Sequence, residues 1–170
     1  IQIPNMHESQ IGIKSLLEET GRKIFEIIFK VLYVDQGFQE KNILNWFVGV
    51  TGSSKNKFKN IFGNMRKVNF FEDRIDLKTY YECIKVCTDR KKCLSTNAQS
   101  NLETISEENK TIRHNDKPSE ITQEEILDIY LKLLDEIAVF DKENITSDVR
   151  VEIQNKLRDL KTNSDDSHVS

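Results

Sequence analysis

Apolar side chains recur at intervals of three and four residues along most of this chain, a spacing that places them on one face of an α-helix. In residues 15–34 the recurring positions are Leu16, Leu17, Ile24, Ile27, Ile28, Val31 and Leu32. Only 6 Gly and 2 Pro occur in 170 residues, too few to punctuate the turns of a β-sandwich. The sequence therefore predicts a mainly α protein.

Capping signals divide the periodic stretches into separate helices. The predicted helices cover approximately residues 15–34, 40–48, 54–65, 77–86, 123–140 and 147–160. Gly37 is expected to close the first, Ser53 or Ser54 to cap the third, and Asp76 to cap the fourth. Residues 122–125, Thr-Gln-Glu-Glu, have the form of a capping box at the start of the fifth.

The composition changes sharply after residue 92. Residues 93–120 lack apolar clusters and are rich in Ser, Asn, Thr, Glu and Lys, which predicts a flexible linker because such a segment buries too little to offset its ordering entropy. We therefore expect four parts. These are a small helical bundle in residues 1–92, a linker in 93–120, a C-terminal helical hairpin in 121–161 and a disordered tail in 162–170.

Charge is distributed unevenly. The formal net charge is −3, yet the residues up to Ser95 contain 16 Lys or Arg against 11 Asp or Glu, a net of +5. The remaining 9 basic and 17 acidic residues give −8. A basic half of this kind indicates an anionic partner.

The candidate site lies in residues 53–67, which contain no acidic residue. Its cations are Lys55, Lys57, Lys59, Arg66 and Lys67. On a helix, Lys55 and Lys59 lie one turn apart, and Phe58 and Phe62 point to the other side. This pattern predicts a helix that packs by its apolar side and contacts phosphates by its basic side; an ordinary solvated basic face is the alternative.

A helix-turn-helix-like element is predicted from Glu40 to Lys67, with the second helix in the major groove of DNA. Asn56, Asn60 and Asn64 would then reach base edges. Residues 49–52, Gly-Val-Thr-Gly, also match the two-glycine loop of KH domains, although the chain shows few strands. Residues 52–55, Gly-Ser-Ser-Lys, lack the Gly-Lys-Ser/Thr order of a phosphate-binding loop.

The acidic hairpin carries apolar stripes on both of its helices. Tyr130, Leu134 and Ile137 form the centre of one stripe, which predicts either a surface for a protein partner or self-association, or docking onto the chain's own core. The first possibility is an alternative function for the whole chain, as an interaction or scaffold subunit.

Neither a metal site, a cofactor loop nor a catalytic constellation is expected. Cys83, Cys87 and Cys93 cluster, but structural zinc needs four ligands, and the three His residues are scattered along the chain. No apolar run approaches the roughly 18 residues that cross a membrane. An odd number of Cys favours an intracellular location; against it, two Asn-x-Thr triplets, residues 109–111 and 144–146, are acceptors in secreted proteins.

Part of the chain resembles the RteC-type regulators of Bacteroides conjugative elements. Residues 25–29, Phe-Glu-Ile-Ile-Phe, resemble a Glu-Leu-Ile-Tyr helix of that family, and residues 58–67 resemble its aromatic helix followed by Arg-Lys. The resemblance covers residues 24–84 and implies a cytoplasmic DNA-binding regulator of excision or transfer genes. Residues 74–77, Arg-Ile-Asp-Leu, depart from the family's Arg-Thr-x-Phe-Leu pattern.

Overall fold

The computed structural model describes residues 6–87, 90–114 and 121–166, and the side chains of residues 12–87, 92–110 and 121–163. The helices are α1 (Met6–Asp35), α2 (Ile43–Thr51), α3 (Lys55–Phe62), α4 (Leu77–Val86), α5 (Arg90–Cys93), α6 (Thr96–His114), α7 (Gln123–Phe140) and α8 (Ser147–Asp166). A 3₁₀ turn, Met65–Lys67, follows α3. In these ranges the only β pairing is an isolated bridge between Asn42 and Asn69. The prediction of a mainly α protein is confirmed.

Helix α1 forms the centre of the fold because its apolar face is wide enough to contact several other helices. Ile24, Ile28 and Leu32 are fully buried, and α4, α6 and α7 pack around α1. The helix ends as expected at Gly37, whose φ of 70° is left-handed. The amide of Gly37 donates to Val34 O and the amide of Phe38 to Tyr33 O, the pattern of a Schellman motif.

Side-chain caps fix the starts of four helices. Ser54, Asp76 and Thr122 each accept a hydrogen bond from the amide three residues later, as predicted for α3, α4 and α7. Helix α2 was predicted three residues too early at both ends. Asn42 caps it, and Gly52 with a φ of 66° ends it, so that Gly49 is helical.

The predicted linker was wrong for most of its length. Residues 96–114 form α6, and its side chains Ala98, Leu102 and Ile105 are buried, at 1%, 1% and 2% exposure. Three apolar residues at spacings of four and three are enough to dock a polar helix on one side. Residues 115–120 lie outside the described part of the chain.

One hydrophobic core extends from α1 to α8, so the hairpin of α7 and α8 is not a separate unit. The Tyr130 hydroxyl of α7 donates a 2.9 Å hydrogen bond to Leu17 O on α1. Gly21 lies beneath that hydroxyl, with no side chain to obstruct it. The tail prediction was wrong for residues 162–166, which continue α8; residues 167–170 lie outside the described part.

A buried carboxylate organises the turn between α7 and α8. Asp141 accepts hydrogen bonds from the amide of Ile145 (3.0 Å) and from the amide and hydroxyl of Thr146 (2.9 and 2.6 Å), and the Arg150 guanidinium lies 3.8 Å away. Burial raises the pKa of Asp141, but the Thr146 and Ile145 hydrogen bonds and the Arg150 charge outweigh it, so the pKa is lowered.

Candidate nucleic-acid interface

Helix α3 is short but firmly placed. Ser54 caps its first turn by accepting from the amide of Lys57 at 3.2 Å. Phe58 and Phe62 are buried against Phe47 of α2, with ring centroids 5.7 and 5.4 Å apart. The apolar side of α3 is thus fixed to the core, and its opposite side faces solvent.

The solvent face of α3 carries two Asn amides between Lys side chains. Successive residues turn by about 100° around the helix, so Asn56 and Asn60 lie directly opposite the buried Phe58. Lys55 and Lys59 lie on one side of the two amides, and Lys57 lies on the other. All five of these polar side chains are exposed. Two uncharged amides are therefore flanked by ammonium groups on both sides.

The remaining predicted cations do not lie on α3. Gly63, with a φ of 65°, ends the helix, and Arg66 and Lys67 lie in the 3₁₀ turn that follows. The Asn42 side-chain amide fixes this turn by donating 2.8 Å to Arg66 O. The prediction of one continuous helix through Met65 was wrong, and Asn64 does not share the face of Asn56 and Asn60.

The five predicted cations, Lys55, Lys57, Lys59, Arg66 and Lys67, have exposed side chains. None of them forms an ion pair with any carboxylate that the structure describes. Elsewhere, ion pairs engage eight of the described basic side chains, whereas others, such as Lys132 and Lys142, form none with a described carboxylate; the eight are Arg22, Lys30, Arg74, Lys85, Lys110, Arg150, Lys156 and Lys161. The basic side chains of this region are available for an anionic ligand.

The absence of acidic residues extends further than the sequence interpretation recognised. Residues 41–71, here called the acid-free stretch, contain no Asp or Glu, whereas 31 residues at the chain's frequency of 28 in 170 would contain about five. Lys41 is therefore a sixth cation of the stretch. It was missed because it precedes α2, yet Phe70 N–H donates to Lys41 O at 2.9 Å and joins it to the segment after α3.

A seventh cation comes from α4. Lys78 is exposed and lines a surface groove together with Lys59 and Asn60. Asp76 and Glu82 line the same groove, so this side of the surface has mixed charge. Lys78 could not be predicted from the sequence, because only the fold brings it to the same groove as Lys59 and Asn60.

Two other sequence interpretations are corrected by the fold. Gly49, Val50 and Thr51 are helical residues of α2, so no two-glycine loop of the KH type exists there. Tyr130, Leu134 and Ile137 are 3%, 0% and 0% exposed in the core, so they are not a surface for a partner. The alternative of docking onto the chain's own core is what the structure shows.

The cysteines contribute no visible reactive centre. Cys83 and Cys87 are buried thiols, and burial raises the pKa of Cys83 well above its ordinary value, which suppresses the reactive thiolate. Among the described residues, no three His, Cys, Asp or Glu side chains gather in a group that could hold a metal. Over the same residues, no helix combines the length and apolar character needed to span a membrane.

Comparison of the chain with protein-family models, with curated proteins and with solved structures gave no match.

Proposed function

We propose that this chain is a nucleic-acid-binding regulatory module, and that its ligand is duplex DNA. The observation that supports this most strongly is the set of five exposed cations, Lys55, Lys57, Lys59, Arg66 and Lys67, none paired with a described carboxylate. Such cations can neutralise phosphates and release counterions, which supplies most of the sequence-independent affinity for DNA.

In this proposal α2, the turn of residues 52–54 and α3 act as a helix-turn-helix-like element. Helix α2 is held in the core by Ile43, Trp46 and Phe47, and α3 would enter the major groove. Asn56 and Asn60, at the centre of the exposed face, would contact base edges, and an Asn amide pairs best with adenine. The flanking lysines would contact phosphates on either side of the groove.

The resemblance to RteC-type regulators supports the same proposal. Its aromatic and Arg-Lys residues fall on α3 and the 3₁₀ turn, the two elements that carry the five cations unpaired with described carboxylates. We extend the proposal accordingly to a regulator of transcription that acts inside the cell.

The test is fluorescence anisotropy of labelled duplex DNA at several salt concentrations. Each phosphate contact contributes about 0.9 to the slope of log K against log salt, so Lys55→Gln with Lys59→Gln is expected to reduce the slope by about 1.8. Lys55→Glu with Lys59→Glu is expected to abolish binding and leave the circular dichroism unchanged, because both side chains are exposed.

The matched control is Lys132→Glu with Lys142→Glu, which changes the net charge equally at two exposed lysines outside the acid-free stretch. It is expected to retain binding. If wild-type protein does not bind duplex DNA at low salt, or if both double variants lose affinity equally, the proposed site is wrong. Stronger binding to duplex RNA than to duplex DNA would show that the ligand is RNA and that the proposal of DNA is wrong.

A further inference from the structure

An exposed aromatic ring lies at the end of the acid-free stretch. Among the described Phe, Tyr and Trp side chains, Phe71 is the most exposed, at 50%. Its ring packs edge-on against Tyr33, with centroids 5.4 Å apart. A single exposed Phe is common on protein surfaces, so exposure alone does not indicate a site. Its surroundings supply the further observations.

The backbone around Phe71 is held in place by a compact turn. The Asn69 side-chain oxygen accepts hydrogen bonds from the amides of Phe71 (2.8 Å) and Glu72 (3.2 Å). The Asp73 carboxylate accepts from the Asn69 amide at 2.7 Å. A ring fixed in this way loses little conformational freedom when a flat ligand stacks on it.

Two ammonium groups accompany the ring. The Nζ atoms of Lys30 and Lys41 each lie 5.9 Å from the Phe71 centroid. Lys30 also pairs with Glu26 at 2.8 Å, whereas Lys41 forms no ion pair with a described carboxylate. An aromatic ring beside cations is the combination that binds single-stranded nucleic acid, by stacking on a base and neutralising its phosphates.

Phe71 lies near the 3₁₀ turn that carries Arg66 and Lys67. Phe70 N–H donates to Lys41 O at 2.9 Å, and Ile43 N–H donates to Val68 O at 3.0 Å, so the segment that carries Phe71 is tied to the start of α2. Phe71 lies four positions after Lys67 in the chain, and an extended chain of that length spans at most about 14 Å. The ring therefore lies within a few nucleotides of the proposed phosphate contacts.

We propose that Phe71, with Lys30 and Lys41, is a stacking site for an unpaired nucleobase at the edge of the duplex-binding surface. This inference rests on the proposed function and extends it: the preferred ligand is duplex DNA with a single-stranded extension. Stacking is tolerant of sequence because every base has a π-face, so the extension is recognised by its single-stranded character.

The test compares a blunt duplex with the same duplex carrying a short single-stranded extension at its 5′ or 3′ end, by anisotropy at one salt concentration. For wild-type protein, one of the extensions is expected to increase affinity about fivefold or more. Phe71→Leu keeps an apolar side chain against Tyr33 but removes the π-face. It is expected to abolish that gain and to leave blunt-duplex affinity unchanged, whereas Phe71→Trp is expected to retain the gain.

The matched control is Val139→Ala on α7, a change at another exposed apolar side chain, which is expected to preserve the gain. A 2-aminopurine placed in the extension reports stacking directly, through fluorescence quenching that Phe71→Leu should remove. Blunt-duplex binding with no gain from either extension overturns this inference alone. So does a gain that survives in Phe71→Leu. Failure of wild-type protein to bind the blunt duplex overturns the proposed function, and the stacking site with it.

Discussion

Replacing Gly21 by alanine tests whether the acidic hairpin docks on the chain's own core. A Cβ at Gly21 would lie 2.5 Å from the Tyr130 hydroxyl oxygen and 3.2 Å from both Tyr130 Cζ and Leu77 Cδ1. Since contacts below 3.0 Å essentially do not occur, the hydroxyl must move by at least 0.5 Å. That movement disturbs the hydrogen bond to Leu17 O, which is 2.9 Å long in a buried position.

The expected change in the free energy of unfolding combines two destabilising contributions and one stabilising contribution. Overpacking in a core costs about 1–3 kcal/mol, and a lost buried hydrogen bond costs about 0.5–1.5 kcal/mol. Alanine is favoured over glycine inside a helix by about 0.5–1 kcal/mol. Gly21→Ala should therefore lower the free energy of unfolding by roughly 2 kcal/mol. In a Tyr130→Phe background the closest contact and the hydrogen bond are gone and only the 3.2 Å contacts remain, so the same change should cost clearly less.

Urea denaturation followed by circular dichroism and by Trp46 fluorescence measures these energies. Gly12→Ala is the matched control, because Gly12 lies on the same helix with nothing within 4 Å of the added Cβ. It should be neutral or stabilising. If Gly21→Ala behaves like Gly12→Ala and shows no coupling to Tyr130→Phe, α7 does not dock on α1. The stripe of Tyr130, Leu134 and Ile137 would then be open to a partner again.

Three further predictions concern a cap, a buried carboxylate and the unforeseen helix. Ser54→Ala should reduce stability by about 1 kcal/mol and weaken DNA binding in the anisotropy assay, while Ser53→Ala should change neither measurement. The lowered pKa of Asp141 stabilises the fold above the ordinary aspartate pKa of about 3.9, and this stabilisation is lost as the pH falls through the folded-state value. Asp141→Asn should therefore be less stable at pH 7 and flatten the loss of stability in acid, as measured by thermal melts from pH 7 to pH 2; an unchanged acid profile would contradict this. Leu102→Ala should cost about 2–5 kcal/mol in urea denaturation because Leu102 is 1% exposed, whereas Glu103→Ala at an exposed position should stay within about 0.5 kcal/mol; equal effects would contradict the packing of α6.

The sequence was sufficient to predict those features that depend only on neighbouring residues, such as helix caps. The caps at Ser54, Asp76 and Thr122 and the left-handed Gly37 were predictable, because each depends on residues within one helical turn. The fold class followed from the apolar periodicity. The ends of α3 were only half predictable, since Gly63 ends it before the apolar pattern does.

Features that depend on distant residues were missed. Helix α6 has a polar composition, and it docks because three small or medium apolar residues meet a core assembled from other helices. Its start is also held from outside: the Glu136 side chain of α7 accepts hydrogen bonds from the amide of Ser95 (2.5 Å) and its hydroxyl (3.1 Å). The approach of Lys41 to the segment after α3 depends on a single β-bridge, which leaves no periodic signal.

The net charge of −3 is compatible with DNA binding when distance and screening are considered. Helix α3 packs mainly on α2 and the 3₁₀ turn, while α7 packs mainly on α1, α6 and α8, so the basic and the acidic surfaces lie on different parts of the fold. A helix is about 10 Å across, and the Debye length is about 8 Å at physiological ionic strength, so the acidic half is largely screened from a bound duplex.

At about 0.01 M salt the Debye length reaches about 30 Å, so the acidic half is expected to repel DNA as well. The plot of log K against log salt should therefore flatten at the lowest salt concentrations. Charge-neutralising substitutions on the acidic hairpin should restore its linearity; a plot that is linear throughout for wild-type protein would show that the acidic half does not repel the bound DNA even at low salt.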